Sequence, residues 1–186
     1  MLPGEWHAVP WYGGAILCDL PSSFQDASEV RQVPDHQEVW TDHSSDRSIT
    51  VEILERKDIA DDHAVAFFLA DLADANDARD ARLVSERQLS TQEVPHLADV
   101  HCRLGVGLQR IPKFNEDSAN LVQIYLCVIR LAAQETDILL VLNDPIEIDP
   151  RSSSADVPVM DRGEDLFLSL LRTFQIVDWG LFSGTD

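Results

Sequence analysis

The amino-acid sequence predicts an α/β protein of the α+β type: a layered α/β/α sandwich around a mostly antiparallel sheet of about six strands. Three observations predict it. Val100, Cys102, Leu104, Val106 and Leu108 alternate with His101, Arg103, Gly105, Gly107 and Gln109, the period-two pattern of a half-buried strand. Leu121–Leu131 is apolar at nearly every position, which marks a central strand covered on both sides. Two further stretches repeat apolar residues at three- and four-residue spacing, the pattern of amphipathic helices able to supply that cover.

Taken in order, Met1–Trp11 contains Pro3, Gly4 and Pro10 and reads as a loose lead-in. Gly13-Gly14 punctuates the chain before a short strand over Ala15–Leu20. Asp26 or Ser28 caps one turn of helix, and Pro34-Asp35 stops it, because a residue before proline is driven out of the helical region. Two valine- and isoleucine-rich runs follow, Gln37–Thr41 and Ile49–Leu54, with a polar turn between them: a hairpin.

From Asp58 the period becomes helical. Asp58 is the expected N-cap, with Asp61 and Asp62 in the first turn at the positive end of the dipole. Ala60, Ala64, Phe67, Phe68, Leu72 and Ala75 form the predicted buried face. Ala81–Leu89 is a strand of mixed character. The alternating run, a turn at Pro112–Asp117, then Leu121–Leu131 and Thr136–Leu142 make an antiparallel meander. Asn143–Arg162, with three prolines and a serine triplet, reads as a mobile surface loop within a single domain spanning 1–186. Asp161-Arg-Gly-Glu164 has capping-box spacing ahead of a second helix built on Leu166, Phe167, Leu170, Leu171 and Phe174. Ile176-Val177 adds a short strand, and Trp179, Leu181 and Phe182 tie the tail to the body.

The chain has 186 residues, 45% hydrophobic and 25% charged, with a net charge of −19. That field opposes nucleic acid and anionic membrane as partners and favours a basic protein surface, bound more weakly as salt rises. Cys18, Cys102 and Cys127 make no metal-type spacing and read as buried thiols in a reducing compartment. With no basic and apolar leader and no run long enough to span a bilayer, the chain is expected in nucleus and cytoplasm, as a monomer.

No catalytic constellation emerges. The six histidines do not pair at helical ligand spacing. His36 and His43, with Glu38 between them, allow a metal site or a small hydrolase centre across the hairpin, but no further ligand set lies close in sequence. Gly105-x-Gly107 sits inside a strand and lacks the Gly-Lys-Ser/Thr ending of a phosphate loop; a bulge or a close backbone approach explains it better. No serine occupies a nucleophile elbow. Neither metal nor cofactor is expected.

What the hairpin does carry is charge. Asp26, Glu29, Arg31, Asp35, Glu38, Glu52 and Glu55 surround an apolar framework that a core hairpin alone would not need. Gly13-Gly14-Ala15-Ile16 with Pro21, then Asp26-x-Ser28-x-x-Arg31-x-Val33-Pro34-Asp35-x-Gln37-Glu38-Val39, then Ser48-Ile49-x-Val51-Glu52-Ile53-Leu54-Glu55, resembles the Ran guanine nucleotide release factor family. The resemblance continues through Ile129-Arg130-Leu131, Thr136–Leu140 and the tail Phe174–Phe182. It implies a fold similar to the photosystem II P-subunit superfamily and a regulator that binds the GTPase Ran, promotes nucleotide release without covalent chemistry and supports nuclear import. It implies Glu52 and Glu55 as the first Ran-binding residues, then Asp35, Gln37 and Glu38, with Asp26 and Arg31 behind. An adaptor of the same fold, binding another protein without nucleotide release, is the alternative. A second Ran-binding protein is a further possible partner, although Leu83–Leu108 does not match the family.

Two details bear on geometry. Residues 52 and 55 have opposite parity, so an undisturbed strand points them to opposite faces; the strand must end or bulge near Leu54 for one partner to reach both. Arg31 is expected to form a structural ion pair with Asp26 or Asp35.

Overall fold

The computed structural model describes residues 4–42, 44–113 and 116–183. Ten strands form two antiparallel sheets. In chain order they are β1 (Trp6–Trp11), β2 (Ile16–Pro21), β3 (Phe24–Asp26), β4 (Gln37–Asp42), β5 (Arg47–Glu55), β6 (Asp80–Gln88), β7 (His101–Pro112), β8 (Ala119–Leu131), β9 (Thr136–Glu147) and β10 (Gln175–Ile176). Helix α1 spans Ala64–Ala75 and α2 spans Gly163–Thr173. The large sheet has seven strands in the order β3-β4-β5-β9-β8-β7-β6, and the small sheet is β1-β2-β10.

The two-sided apolar character of β8 and β9 explains the layering. Alternate residues Ile124, Leu126, Val128, Leu139 and Val141 meet Val65, Phe68 and Leu69 of α1 on one face. Tyr125, Cys127, Ile129, Leu140 and Leu142 meet Leu166, Phe167, Leu170 and Leu171 of α2, together with Trp11 and Ile16 of the small sheet, on the other. The expected α/β/α sandwich is thus present, with the small sheet sharing the α2 layer. Gly105 and Gly107 lie where α1 crosses β7. A Cβ on Gly105 would collide with Val65 Cγ1, and one on Gly107 would press to 3.1 Å from Leu69. The glycine pair serves close helix approach, as its place in a strand suggested.

Several local expectations are corrected. Trp6–Trp11 is no lead-in but a full strand paired with β2 along its length; Pro10 fits because β1 is an edge strand, where a missing N–H costs no ladder bond. Asp58 does not cap α1, which is entered through a 3₁₀ turn at Asp61–His63. The face that packs on the sheet is Ala64, Val65, Phe68, Leu69 and Ala73, so Phe68 is core while Phe67 is 40% exposed. The first helical turn ends at Glu29, well before Pro34. The capping box at Asp161–Glu164 does not form: α2 begins at Gly163, and Arg162 stands before it in the left-handed region. Within the stretch read as a linker, Asn143–Glu147 belongs to β9. Farther on, the Asp149 N–H donates to Asn120 Oδ1 at 2.9 Å and the Ser154 hydroxyl to Asp46 at 2.8 Å.

Two buried ion pairs fasten the chain ends of these elements. Arg130 Nε donates to Asp137 Oδ1 at 3.0 Å, and its other nitrogens reach the carbonyls of Lys57 and Ile59 and the Asp61 carboxylate. Arg47 Nε donates to Asp144 Oδ1 at 2.7 Å and holds the carbonyls of Met160 and Asp161 at 3.0 Å. Three cysteines are free and buried. Burial pushes the Cys18 and Cys102 thiols up to about 12 and raises Cys127 well above its ordinary value, so they remain unreactive thiols. No helix among the described residues is long and apolar enough to cross a membrane.

Candidate functional site

The acidic residues of the hairpin are placed by the register of β4 on β5. Gln37 pairs with Glu52 and Glu38 with Val51, and paired residues share a face. Glu52 therefore lies on the α1 side of the sheet and Glu38 on the α2 side, where Val51 is core. Beyond Asp26 the outer edge of β4 is unpaired, since β3 covers only Trp40–Asp42.

Glu52 is held by two neighbours. Gln37 Nε2 donates to its Oε1 at 3.0 Å, and His36 Nε2 lies 3.1 Å from the same atom. Only 18% of the Glu52 side chain is exposed, against 51% for His36. The carboxylate is thus mostly covered and held in place, with one oxygen committed. Glu38 is fixed from the far side by the turn Tyr12–Gly14. The Tyr12 N–H donates to Glu38 Oε1 at 2.7 Å. The Tyr12 hydroxyl lies 2.9 Å from the carbonyls of both His36 and Val51, which share its single proton, and so staples the turn onto the hairpin. Tyr12 and Gly13 have φ values of 50° and 65°. Glycine enters that region without cost, and its place after Tyr12 lets the chain reverse there.

The electrostatics follow from this packing. Burial raises the Glu38 carboxyl, the Tyr12 N–H partly offsets that, and the Asp26 charge raises it further. Burial also drives the Tyr12 phenol well above its usual range, with the Glu38 and Glu52 charges adding to the effect. The phenol stays protonated and keeps its proton between the two carbonyls.

The remaining predicted residues are distributed around this centre. Asp26 caps its own turn through Ser28 N–H at 2.8 Å while adding its field to Glu38. Asp35 is exposed beside His36. Pairing of β5 with β9 continues without a bulge to Glu55, which opposes Thr136 and is the last residue of the strand. Glu52 and Glu55 therefore occupy opposite faces, and Glu55 opens onto a separate cleft of about 1050 Å³ shared with Lys57, Glu135, Leu181 and Phe182. Arg31 makes no ion pair among the described residues, contrary to expectation. The short turn after Asp26 leaves it exposed, in a cleft of about 480 Å³ with Thr41, Ser48 and Asn143.

Sequence reading missed Tyr12, which acts across 26 residues, and took His36 for a metal candidate when it is a neighbour of Glu52. His43, the other half of that candidate, lies outside the described residues. Among the described residues no three His, Cys, Asp or Glu side chains are arranged to hold a metal ion.

The chain is 36% identical over 182 residues to the probable Ran guanine nucleotide release factor of Dictyostelium discoideum, covering 92% of this chain and 93% of that one. It is 35% identical over 184 residues to the Ran guanine nucleotide release factor of Danio rerio, covering 93% and 98%. The crystal structure of the Saccharomyces cerevisiae Ran-binding protein Mog1p superposes with a TM-score of 0.73 at 26% identity, over 97% of this chain and all of that one. The cyanobacterial PsbP of Synechocystis, at a TM-score of 0.59 and 12% identity over 94% of each chain, shares the fold alone. Residues 9–145 match the family described as Ran-interacting Mog1 protein; that span encloses Tyr12, the hairpin and its carboxylates, and the chain belongs to this family.

Proposed function

We propose that the protein binds the GTPase Ran, promotes release of its guanine nucleotide and thereby supports nuclear protein import, working in nucleus and cytoplasm without covalent chemistry of its own. The names borne by its relatives support the partner. The observation that carries the site is the pair of fixed carboxylates, Glu52 and Glu38, set on opposite faces of one hairpin end by His36, Gln37 and Tyr12. A carboxylate held in place by the fold loses little freedom on meeting a basic group.

Release requires tighter binding to the nucleotide-free GTPase than to the loaded one, since only differential affinity shifts the equilibrium. A GTPase holds its phosphates with a lysine, backbone amides and magnesium. Carboxylates pair with the cations that departing phosphates leave exposed, and they compete for magnesium. Asp35, Gln37, Glu38 and Glu52 form the central contact. Glu55, at the strand end, is reached by a partner that straddles the end of β5. Asp26 and Arg31 are peripheral.

The test is nucleotide dissociation from Ran loaded with a fluorescent guanine nucleotide. Wild-type protein accelerates release, and Glu52→Lys abolishes both release and binding with an unchanged circular dichroism spectrum. Binding without release would replace this reading with that of an adaptor. An unfolded Glu52→Lys variant would assign the residue a structural role.

A further inference from the structure

The two edges of the large sheet are finished differently. At one edge β3 is three residues long. At the other, β6 runs nine residues, and every one of them is exposed. Its inner side pairs with β7, with a register shift between Leu83 and Ser85; its outer side has no partner strand among the described residues. Leu83 and Val84, at mid-strand, are 42% and 50% exposed. A long edge with open backbone groups and exposed apolar residues is a template for another strand.

The surroundings specify what could pair there. Leu83 opposes Gly107, on the side that α1 covers, and a groove of about 150 Å³ runs between β6 and α1, lined by Ala66, Leu69, Ala70 and Leu83. The small residues of α1 and the glycines of β7 leave this groove open. On the opposite side Arg82 opposes Leu108, and Arg87 opposes Leu104. Arg87 is already neutralised by the two bonds it donates to Glu93 at 2.7 and 3.0 Å. Arg82 has no carboxylate partner among the described residues, whereas the Arg79 guanidinium, just before the strand, donates to the Asp117 carbonyl at 2.7 Å. A free cation beside an open edge is notable in a chain of net charge −19.

We propose that β6 is a docking edge for an extended acidic segment of a partner protein, added as an eighth strand. Its alternate apolar side chains enter the groove between β6 and α1, and a carboxylate between them faces Arg82 on the other side. This mode draws affinity from main-chain bonds and specificity from alternate side chains. It is independent of the Ran site, which lies toward the other edge of the sheet.

The experiment uses synthetic peptides with the intact protein: an alternating Asp/Val octapeptide, its Lys/Val counterpart and an all-Asp control, followed by amide NMR shifts and fluorescence anisotropy. The Asp/Val peptide is expected to shift and protect amides of β6 and to bind more tightly than either control. Arg82→Glu and the groove-filling Ala70→Trp, both at exposed positions, each weaken it about tenfold while leaving the spectrum of the free protein otherwise unchanged. No binding by the Asp/Val peptide, equal binding of the Lys/Val peptide, or indifference to both variants would overturn the proposal. So would a concentration-dependent dimer that protects β6 without peptide, which would make the edge a contact between copies.

Discussion

At the scale of single residues, the buried charges are the sharpest points of failure. Asp137 is fully buried and Arg130 nearly so. Together they bind the Asp61 carboxylate, two carbonyls and the Lys57 N–H. Arg130→Met leaves Asp137 unpaired in a dry site and should cost about 3–5 kcal/mol in urea unfolding; adding Asp137→Leu should recover much of the loss, because the pair repays little beyond its own desolvation. Gly163 lies against Asp144, whose carboxylate occupies the space a Cβ would need. Gly163→Ala therefore drives Asp144 away from Arg47 and should lower the thermal midpoint. Glu93 provides a pH signature. Its bonds from Arg87 foremost, and from Ser90, hold its carboxyl down at about 2 against an ordinary 4.5. A depressed folded pKa means stabilisation that is present above pH 4.5 and lost as pH falls toward 2. Glu93→Gln should flatten the stability profile across that window in acid titration, by a modest amount because the pair is solvated.

At the scale of elements, the patterns that were legible are those that repeat. The two-sided apolar run of β8 and the α2 stripe are set by local periodicity and appear where the residues predict them; β7 is a strand as its alternation predicts, but not a half-buried one, because α1 covers its second face and buries Gly105, Gly107 and Gln109. The Gln37–Glu52 pairing was likewise within reach, since two β-rich runs with one polar turn fix a hairpin. What was not legible depended on contacts distant in sequence. β1 carries a proline, and only its edge position, known once β2 and β10 are placed, makes that acceptable. The start of α1 was misjudged because three aspartates compete as caps and none of them bonds the first free N–H. Tyr12 gave no local signal of its hold on Glu38. The parity of Glu52 and Glu55 was readable, and the unbroken β5–β9 register bears out the opposite-face geometry. The close crossing of α1 over β7 yields a further prediction. Gly105→Ala must push Val65 aside and should destabilise by about 1–3 kcal/mol in denaturant titration, whereas a partner Val65→Ala substitution should relieve part of that cost.

At the scale of the whole molecule, the two apolar clusters on either side of one sheet make it the shared wall of both halves of the core, so the α1 and α2 layers should unfold together in a single transition. The acidic balance acts outside that core. Of the 14 lysines and arginines, nine already stand in ion pairs with the chain's own carboxylates. Most positive charge is thus spent internally, and the surplus acid projects a field that a basic partner feels before contact. That sets a kinetic signature. Capture of such a partner should be fast in dilute buffer and slow several-fold on raising salt through the physiological range, while the dissociation rate, governed by short-range contacts, changes far less. A protein built this way finds its target by attraction at a distance and holds it by geometry, so diffusion, rather than docking, sets its tempo in a crowded transport cycle.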